Sequence, residues 1–282
     1  MLGLGLGLGP HMKRPNKSFR HWLAGVIDGD GNFDLRKIGH KADTLTLKAI
    51  RIKVHERDIK LLKRIQNQLH MGRVVRDKRL PYCTYIISTQ QHMRALVHLI
   101  NGLIRLKVPG LKKACIYFNI DFIKADYLVA PNDPYFAGLV DSDGSIILNY
   151  PSNRVECNLE LKRDSYSEQL CLDLVIPDYK PSRYTRLKTN QTKRVFESIC
   201  FKYQTVSGMP LLYDYFMKCR LFCEIKFYRV SQIRQFLIIR HGQRFSKNSP
   251  EFQRYAAFLI NFIKYQNPSW QKTPWVKKLK TH

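Results

Sequence analysis

The feature that most constrains this sequence is that it repeats itself. Residues 22–31 read WLAGVIDGDG and residues 135–144 read YFAGLVDSDG, an offset of 113 residues in a chain of 282. Column by column the shared pattern is aromatic, apolar, Ala, Gly, apolar, apolar, Asp, small, Asp, Gly. The segments downstream of each copy repeat as well. Segments 31–40 and 144–153 read as strands leaving the motif, and 44–54 and 155–163 as second strands. Segments 57–70 and 166–175 have the apolar spacing of a short helix. Segments 72–89 and 182–203 read as hairpins, 91–100 and 209–218 as helices, and a further helix closes each half. The expected fold is α+β, with the order α-β-β-α-β-β-α run twice as two pseudo-symmetric halves.

Pro131-Asn132-Asp133-Pro134 is a short linker between them. The expected domains are 13–130 and 135–282, with 131–134 between and 1–12, low-complexity and ending in His11-Met12, set apart as a tag or cloning-derived segment.

Charge narrows the function. Lys and Arg number 48 against 22 Asp and Glu, a net +26 that calls for a polyanionic partner. At 44% hydrophobic and 12% aromatic residues the chain is no disordered basic tail. No apolar run reaches the roughly 18 residues of a membrane span. The seven cysteines are scattered without a CxxC pair, which supports neither a zinc site nor a disulfide framework and suits a reducing compartment.

Taken as a helix, each motif copy has an Ala-Gly pair (Ala24-Gly25, Ala137-Gly138) that strips one face of bulk, so two such helices can pack backbone to backbone. Gly31 and Gly144 suit the chain reversal after the helix. Side by side, the helices bring Asp30 and Asp143 together at their feet. Two close carboxylates repel and need a shared proton or a divalent cation, and oxygen ligands favour Mg²⁺, Ca²⁺ or Mn²⁺. The calcium-loop template fails in both copies, with Phe33 or Ile146 where glycine belongs. A dinucleotide fingerprint lacks its third glycine.

LAGVIDGDG and FAGLVDSDG resemble the LAGLIDADG motif of homing endonucleases, and the surrounding repeat is similar to the two-motif, single-chain branch of that family, over roughly residues 18–265. The resemblance implies two curved antiparallel sheets forming a saddle over DNA, with the motif helices at the interface. It implies that Asp30 and Asp143 bind Mg²⁺ (or Mn²⁺ or Ca²⁺) with the backbone carbonyls of Gly29 and Ser142. The implied reaction is hydrolysis of one phosphodiester per strand of a long, near-twofold duplex, leaving 3′-overhangs, by a monomer encoded in a mitochondrial or chloroplast intron. The alternative within the family is an RNA-binding maturase that assists splicing. Asp28 and Asp141 read as helix-terminal or structural, or as supporting the metal ligands. The family adds a lysine from each half: Lys107 in the first, and Lys226 in the second, with Cys223 as a rival match because 226 lies 119 residues on rather than 113.

If Asp30 faces DNA, strand alternation turns the same way Asn32, Asp34 and Arg36, then Ile38 and His40, and in the second half Ser145, Ile147 and Asn149. Further candidate contacts are Lys48, Lys53 and Lys162 on the second strands. The hairpins add Arg73, Arg76, Lys78 and Arg79, and Arg183, Arg186, Lys188, Lys193 and Arg194. A two-stranded ribbon fits the major groove, where such side chains read base edges and grip phosphates.

Overall fold

A computed structural model describes residues 15–37, 45–189 and 194–279. Ile38, His40, Lys193 and residues 1–12 lie outside those residues. The first half runs α1 (Lys17–Asp30), β1 (Gly31–Lys37), β2 (Leu45–His55), α2 (Ile59–Leu69), β3 (Arg73–Arg76), β4 (Tyr82–Ile87), α3 (Gln90–Ile100) and α4 (Val108–Phe118). The second runs α5 (Pro134–Ser142), β5 (Gly144–Asn149), β6 (Arg154–Lys162), β7 (Ser182–Thr189), β8 (Val195–Tyr203), α6 (Met209–Lys218) and α7 (Glu224–Ser231). It continues with α8 (Ile233–Ile239), α9 (Pro250–Lys264) and α10 (Val276–Leu279). Each half has one four-stranded antiparallel sheet, ordered β1-β2-β4-β3 and β5-β6-β8-β7, so the repeat extends to topology.

Local chemistry starts each motif helix. The Asn16 side chain accepts from Phe19 N at 2.8 Å, and Asp133 accepts from Tyr135 N at 2.9 Å behind Pro134. Gly31 comes after α1 with φ −77°, ψ 156°, an extended rather than left-handed conformation. Glycine is required there for space instead: a Cβ on Gly31 would meet Ile27 O at 2.6 Å, and one on Gly144 would meet Val140 Cα at 2.6 Å.

Each sheet has two chemically distinct faces. In β2, Ile50, Ile52 and Val54 are buried against the helices, as are Cys83, Tyr85 and Ile87 in β4. Arg51 and Lys53 alternate to the opposite, groove face, beside Thr84 and Ile86. Burying each such Val, Ile or Leu contributes about 1.5–3 kcal/mol, which fixes the register because a one-residue slip would expose the whole row.

One expected element is missing. Residues 166–175 form turns and a short parallel bridge to Leu128 instead of a helix. Asp164 Oδ1 accepts from the amides of Tyr166 and Ser167, a local turn that competes with helix formation. Leu170, Leu172, Val175 and Ile176 are still buried, but from irregular chain stopped by Pro177 and Pro181. Cys171 and Val175 exchange backbone hydrogen bonds with Tyr127, Val129 and Asn132, which holds this segment against the linker.

Candidate active site and nucleic-acid interface

α1 and α5 meet with no side chain between them. A Cβ on Gly25 would stand 2.1 Å from Tyr135 O, and one on Gly138 1.9 Å from Trp22 O. Any larger residue forces the helices apart. At their C-terminal ends a Cβ on Gly29 would fall 1.9 Å from Ser142 Oγ and 3.2 Å from Asp143 Oδ2. Asp30 and Asp143 therefore stand at adjacent feet. Burial, then the charge of Asp143, pushes the Asp30 carboxyl up to about 6. Burial also raises Asp143, opposed by Lys107 and Lys226. Among the described residues no set of three or more His, Cys, Asp or Glu is gathered to hold an ion. The donors here are two carboxylates and neighbouring carbonyls. An all-oxygen donor set of this kind fits a hard divalent cation.

Both candidate lysines reach this place. Lys107 Nζ donates to Gly29 O at 2.6 Å and to Gly31 O. Lys226 Nζ donates to Val140 O at 2.7 Å, Asp141 O at 2.8 Å and Ser142 O at 3.2 Å. The ammonium groups thus rest on the carbonyls at the motif ends, Gly29 and Ser142 included. Burial lowers Lys107, partly opposed by Asp143, Asp28 and Asp30. By position Lys107 matches Cys223, since each caps the next helix, α4 or α7. Cys223 is buried, with its thiol pushed up to about 12, so it offers no charge. Lys226, in the first turn of α7, supplies it from another position.

Asp28 and Asp141 hold the loops that carry these lysines. Asp28 accepts from Arg105 N at 2.7 Å, Lys107 N at 2.8 Å and the Tyr135 hydroxyl at 2.7 Å. Asp141 accepts from Phe222 N at 2.9 Å, Cys223 N at 2.8 Å and Trp22 Nε1 at 2.8 Å. Tyr135 and Trp22 occupy the same motif column, so each half's acid is tied to its own lysine loop and to the other half's aromatic. Burial raises both carboxyls, Asp141 to about 6. The sequence places both acids at a helix end but does not reveal these partners.

Known proteins resemble this chain in sequence and in fold. The sequence model of the family described as LAGLIDADG endonuclease matches residues 23–108. The intron-encoded DNA endonuclease ai2a of Dictyostelium discoideum is 25% identical over 228 residues, covering 80% of this chain and 68% of that protein. Over residues 23–108 the chain resembles the LAGLIDADG family. It carries two copies of the motif in one chain. The intron-encoded RNA maturase bI4 of Saccharomyces cerevisiae is 32% identical over 140 residues, 49% of this chain, but this chain spans only 20% of that protein's length. In fold, the chain is similar to the DNA-bound LAGLIDADG proteins I-SmaMI and I-GzeII. The TM-score is 0.52 for both, with 13% and 12% identity, over 84% of this chain and 96% of each of theirs. No helix among the described residues is long and apolar enough to cross a membrane.

The groove face differs between halves. In the first, Asn32, Asp34 and Arg36 share it with Arg51 and Lys53. Asp34 is held by Arg51 at 2.7 Å and Arg36 at 3.0 Å, which keeps its carboxyl below the usual range. Lys48 is exposed at a bulge, where pairing steps from Ala49 to Leu47. Arg73 pairs with Ile86 on the groove face, but Arg76 pairs with Cys83 and so has the opposite parity. Lys78 and Arg79 sit at the exposed tip, where Asp77 Oδ1 accepts from Arg79 N at 2.9 Å.

In the second half Ser145, Ile147 and Asn149 face the groove, with Asn158, Glu160 and Lys162 on β6. Arg186 and Lys188 face it too, and Lys188 pairs with Glu160 at 2.6 Å. Arg194 is exposed just before β8. Arg183, expected among these contacts, pairs in register with Phe201 and turns to the helix side. It stacks over the Phe201 ring and donates to Glu168 O at 2.7 Å, because β7 takes its parity from β8. Arg51 and Lys202, which the sequence reading missed, also join the groove face. Their signal lay in alternation, two residues from Lys53 and across from Asn158.

Proposed function

We propose that this protein is a site-specific DNA endonuclease that hydrolyses one phosphodiester on each strand of a long, near-twofold duplex, as a monomer, leaving 3′-overhangs. The observation that carries the reading is the pairing of Asp30 with Asp143 at adjacent helix feet, with one ammonium from each half beside them. Mg²⁺, or Mn²⁺ or Ca²⁺ in its place, would be held by Asp30, Asp143 and the Gly29 and Ser142 carbonyls, and would activate water and stabilise the leaving oxygen. Lys107 and Lys226 would turn from those carbonyls to non-bridging phosphate oxygens as a strand enters. Arg51, Lys53, Arg186 and Lys188 would hold the flanking backbone. The intron-encoded relatives favour an organellar intron as the source. The test is cleavage, with Mg²⁺, of a target selected from a randomised duplex library. Selected duplexes that bind and stay uncut would count against the reading.

A second reading, an RNA maturase, draws on the match to the yeast protein. It is tested by splicing of the host intron with and without the protein.

A further inference from the structure

The positive charge is not confined to the sheets. α2 buries Leu61, Leu62, Ile65 and Leu69 against the helix side of the first sheet. Its outer face therefore presents Lys60, Lys63, Arg64, Asn67 and Gln68 away from the groove. Across the boundary between halves, the end of α6 presents Lys218 and the loop after it Arg220. Between them lies a cavity of about 680 Å³ whose lining includes Arg64, Lys218 and Arg220 and no acid. The Arg64 guanidinium sits over the Phe222 ring, 3.8 Å from its centroid, and that of Arg220 over the Phe227 ring at 4.1 Å. Among the described ion pairs neither arginine has a carboxylate partner, nor does Lys218. Glu224, the acid that acts on Arg220, is taken by Lys60 at 2.6 Å. Burial, then the like charge of Arg220, holds Arg64 below the usual guanidinium range, with Asp141 opposing. Two arginines fixed on aromatic rings and repelling each other form a preorganised anion site.

The shape selects among anions. Two smaller depressions adjoin the cavity, one along Lys60, Lys63 and Asn67, the other past Arg220 and Tyr228, where Lys60 is paired with Glu224. They share Arg64 and Gln68, or Arg220 and Phe222, with the main cavity, so the cations form a track rather than a point. A track fits successive phosphates better than one free phosphate. A recessed cavity admits a single strand but not the outer face of a duplex. Asn16, Ser18, Gln68 and Asn132 also line it, and amide and hydroxyl groups among cations can pair with 2′-hydroxyls. Phe19, in the same lining, lies 11 residues before Asp30, about 16 Å along α1 at 1.5 Å per residue.

We propose that this cleft between the halves is a second nucleic-acid site, which takes a single-stranded segment of RNA while the sheets remain free for duplex DNA. The inference rests on the cleft itself and not on cleavage, and it gives the maturase reading a specific surface. The experiment uses the full chain without divalent metal. Anisotropy is read from a fluorescein-labelled 20-nucleotide RNA, the DNA strand of the same sequence, and a duplex. Arg64→Gln with Arg220→Gln removes both charges at exposed positions. It should weaken RNA binding about tenfold and cut the salt slope by about 0.7 per lost phosphate contact, with melting temperature and duplex affinity unchanged. Arg51→Gln with Lys53→Gln on the first sheet should do the reverse. Equal loss of RNA and duplex in both variants, or stoichiometric displacement of RNA by duplex, would mean one shared site and overturn the proposal. RNA lost only with the sheet variant would refute the cleft yet leave RNA binding standing. Single-stranded DNA bound as well as RNA would overturn the choice of RNA. Duplex that fails to bind would count against the endonuclease reading alone.

Discussion

The two halves share a backbone plan and reach the same site through different chemistry. In the first, an ammonium arrives from a helix cap, Lys107, and the groove face beside Asp30 carries Arg51 and Lys53. In the second, the cap is the uncharged Cys223, the ammonium comes from the next turn, Lys226, and Asn158 and Glu160 stand at the registers of Arg51 and Lys53. The packing of α1 on α5 tolerates no such variation, because Gly25 and Gly138 each touch the opposite backbone. Contacts between backbones fix position, whereas a long flexible side chain can reach one point from several positions along a chain.

The largest expected effect strikes both halves alike. Asp28→Ala or Asp141→Ala leaves buried amides without an acceptor and frees a lysine loop, so each should cost about 2–4 kcal/mol in denaturant unfolding. Tyr135→Phe, which cuts only the link between halves, should cost about 1 kcal/mol, and Trp22→Phe, which also removes part of a buried ring packed on Phe19 and Phe222, should cost more. A silent Asp28→Ala would break the claim that these acids brace the loops.

A pH experiment addresses the central pair. The Asp30 carboxyl is raised from about 3.8 to about 6. Below about pH 3 it is protonated folded or unfolded and costs nothing. Stability falls as pH rises toward 6, and the full cost remains above. Asp30→Asn without metal should therefore raise stability above pH 6 by about 1–3 kcal/mol and have little effect below about pH 3. Mg²⁺ should erase the gain by stabilising only the wild type. A pH-independent gain would contradict the raised carboxyl of Asp30.

The lysines sharpen the comparison. If both ammonium groups serve equivalent phosphates, Lys107→Met and Lys226→Met should each slow one strand about 10–100-fold and accumulate nicks in opposite strands, read on denaturing gels. Nicks in the same strand would mean that the second half's substitute is not equivalent. The smallest effect belongs to parity. Arg183→Ala should leave duplex affinity within about twofold, whereas Arg186→Ala should weaken it by about 1 kcal/mol with a shallower salt slope.

The sequence made the repeat legible because the helix–helix contact demands small residues at fixed spacing, and it made the strand faces legible because alternation is local. It did not give the parity of Arg183, which depends on pairing with β8, or the irregular chain over 166–175, where the Asp164 turn and two prolines outweigh an apolar spacing that suits a helix equally well. The partners of Asp28 and Asp141 were hidden because each lies about 80 residues or more away in its own half or across the interface.

The most direct test of the metal-bridged pair is cutting of a selected duplex with Mg²⁺ by the wild type, Asp30→Asn and Asp143→Asn, with binding measured in parallel. The wild type should break both strands, and neither variant should make a double-strand break, although both bind. A double-strand break by either variant would contradict the assignment of Asp30 and Asp143 as the paired catalytic carboxylates.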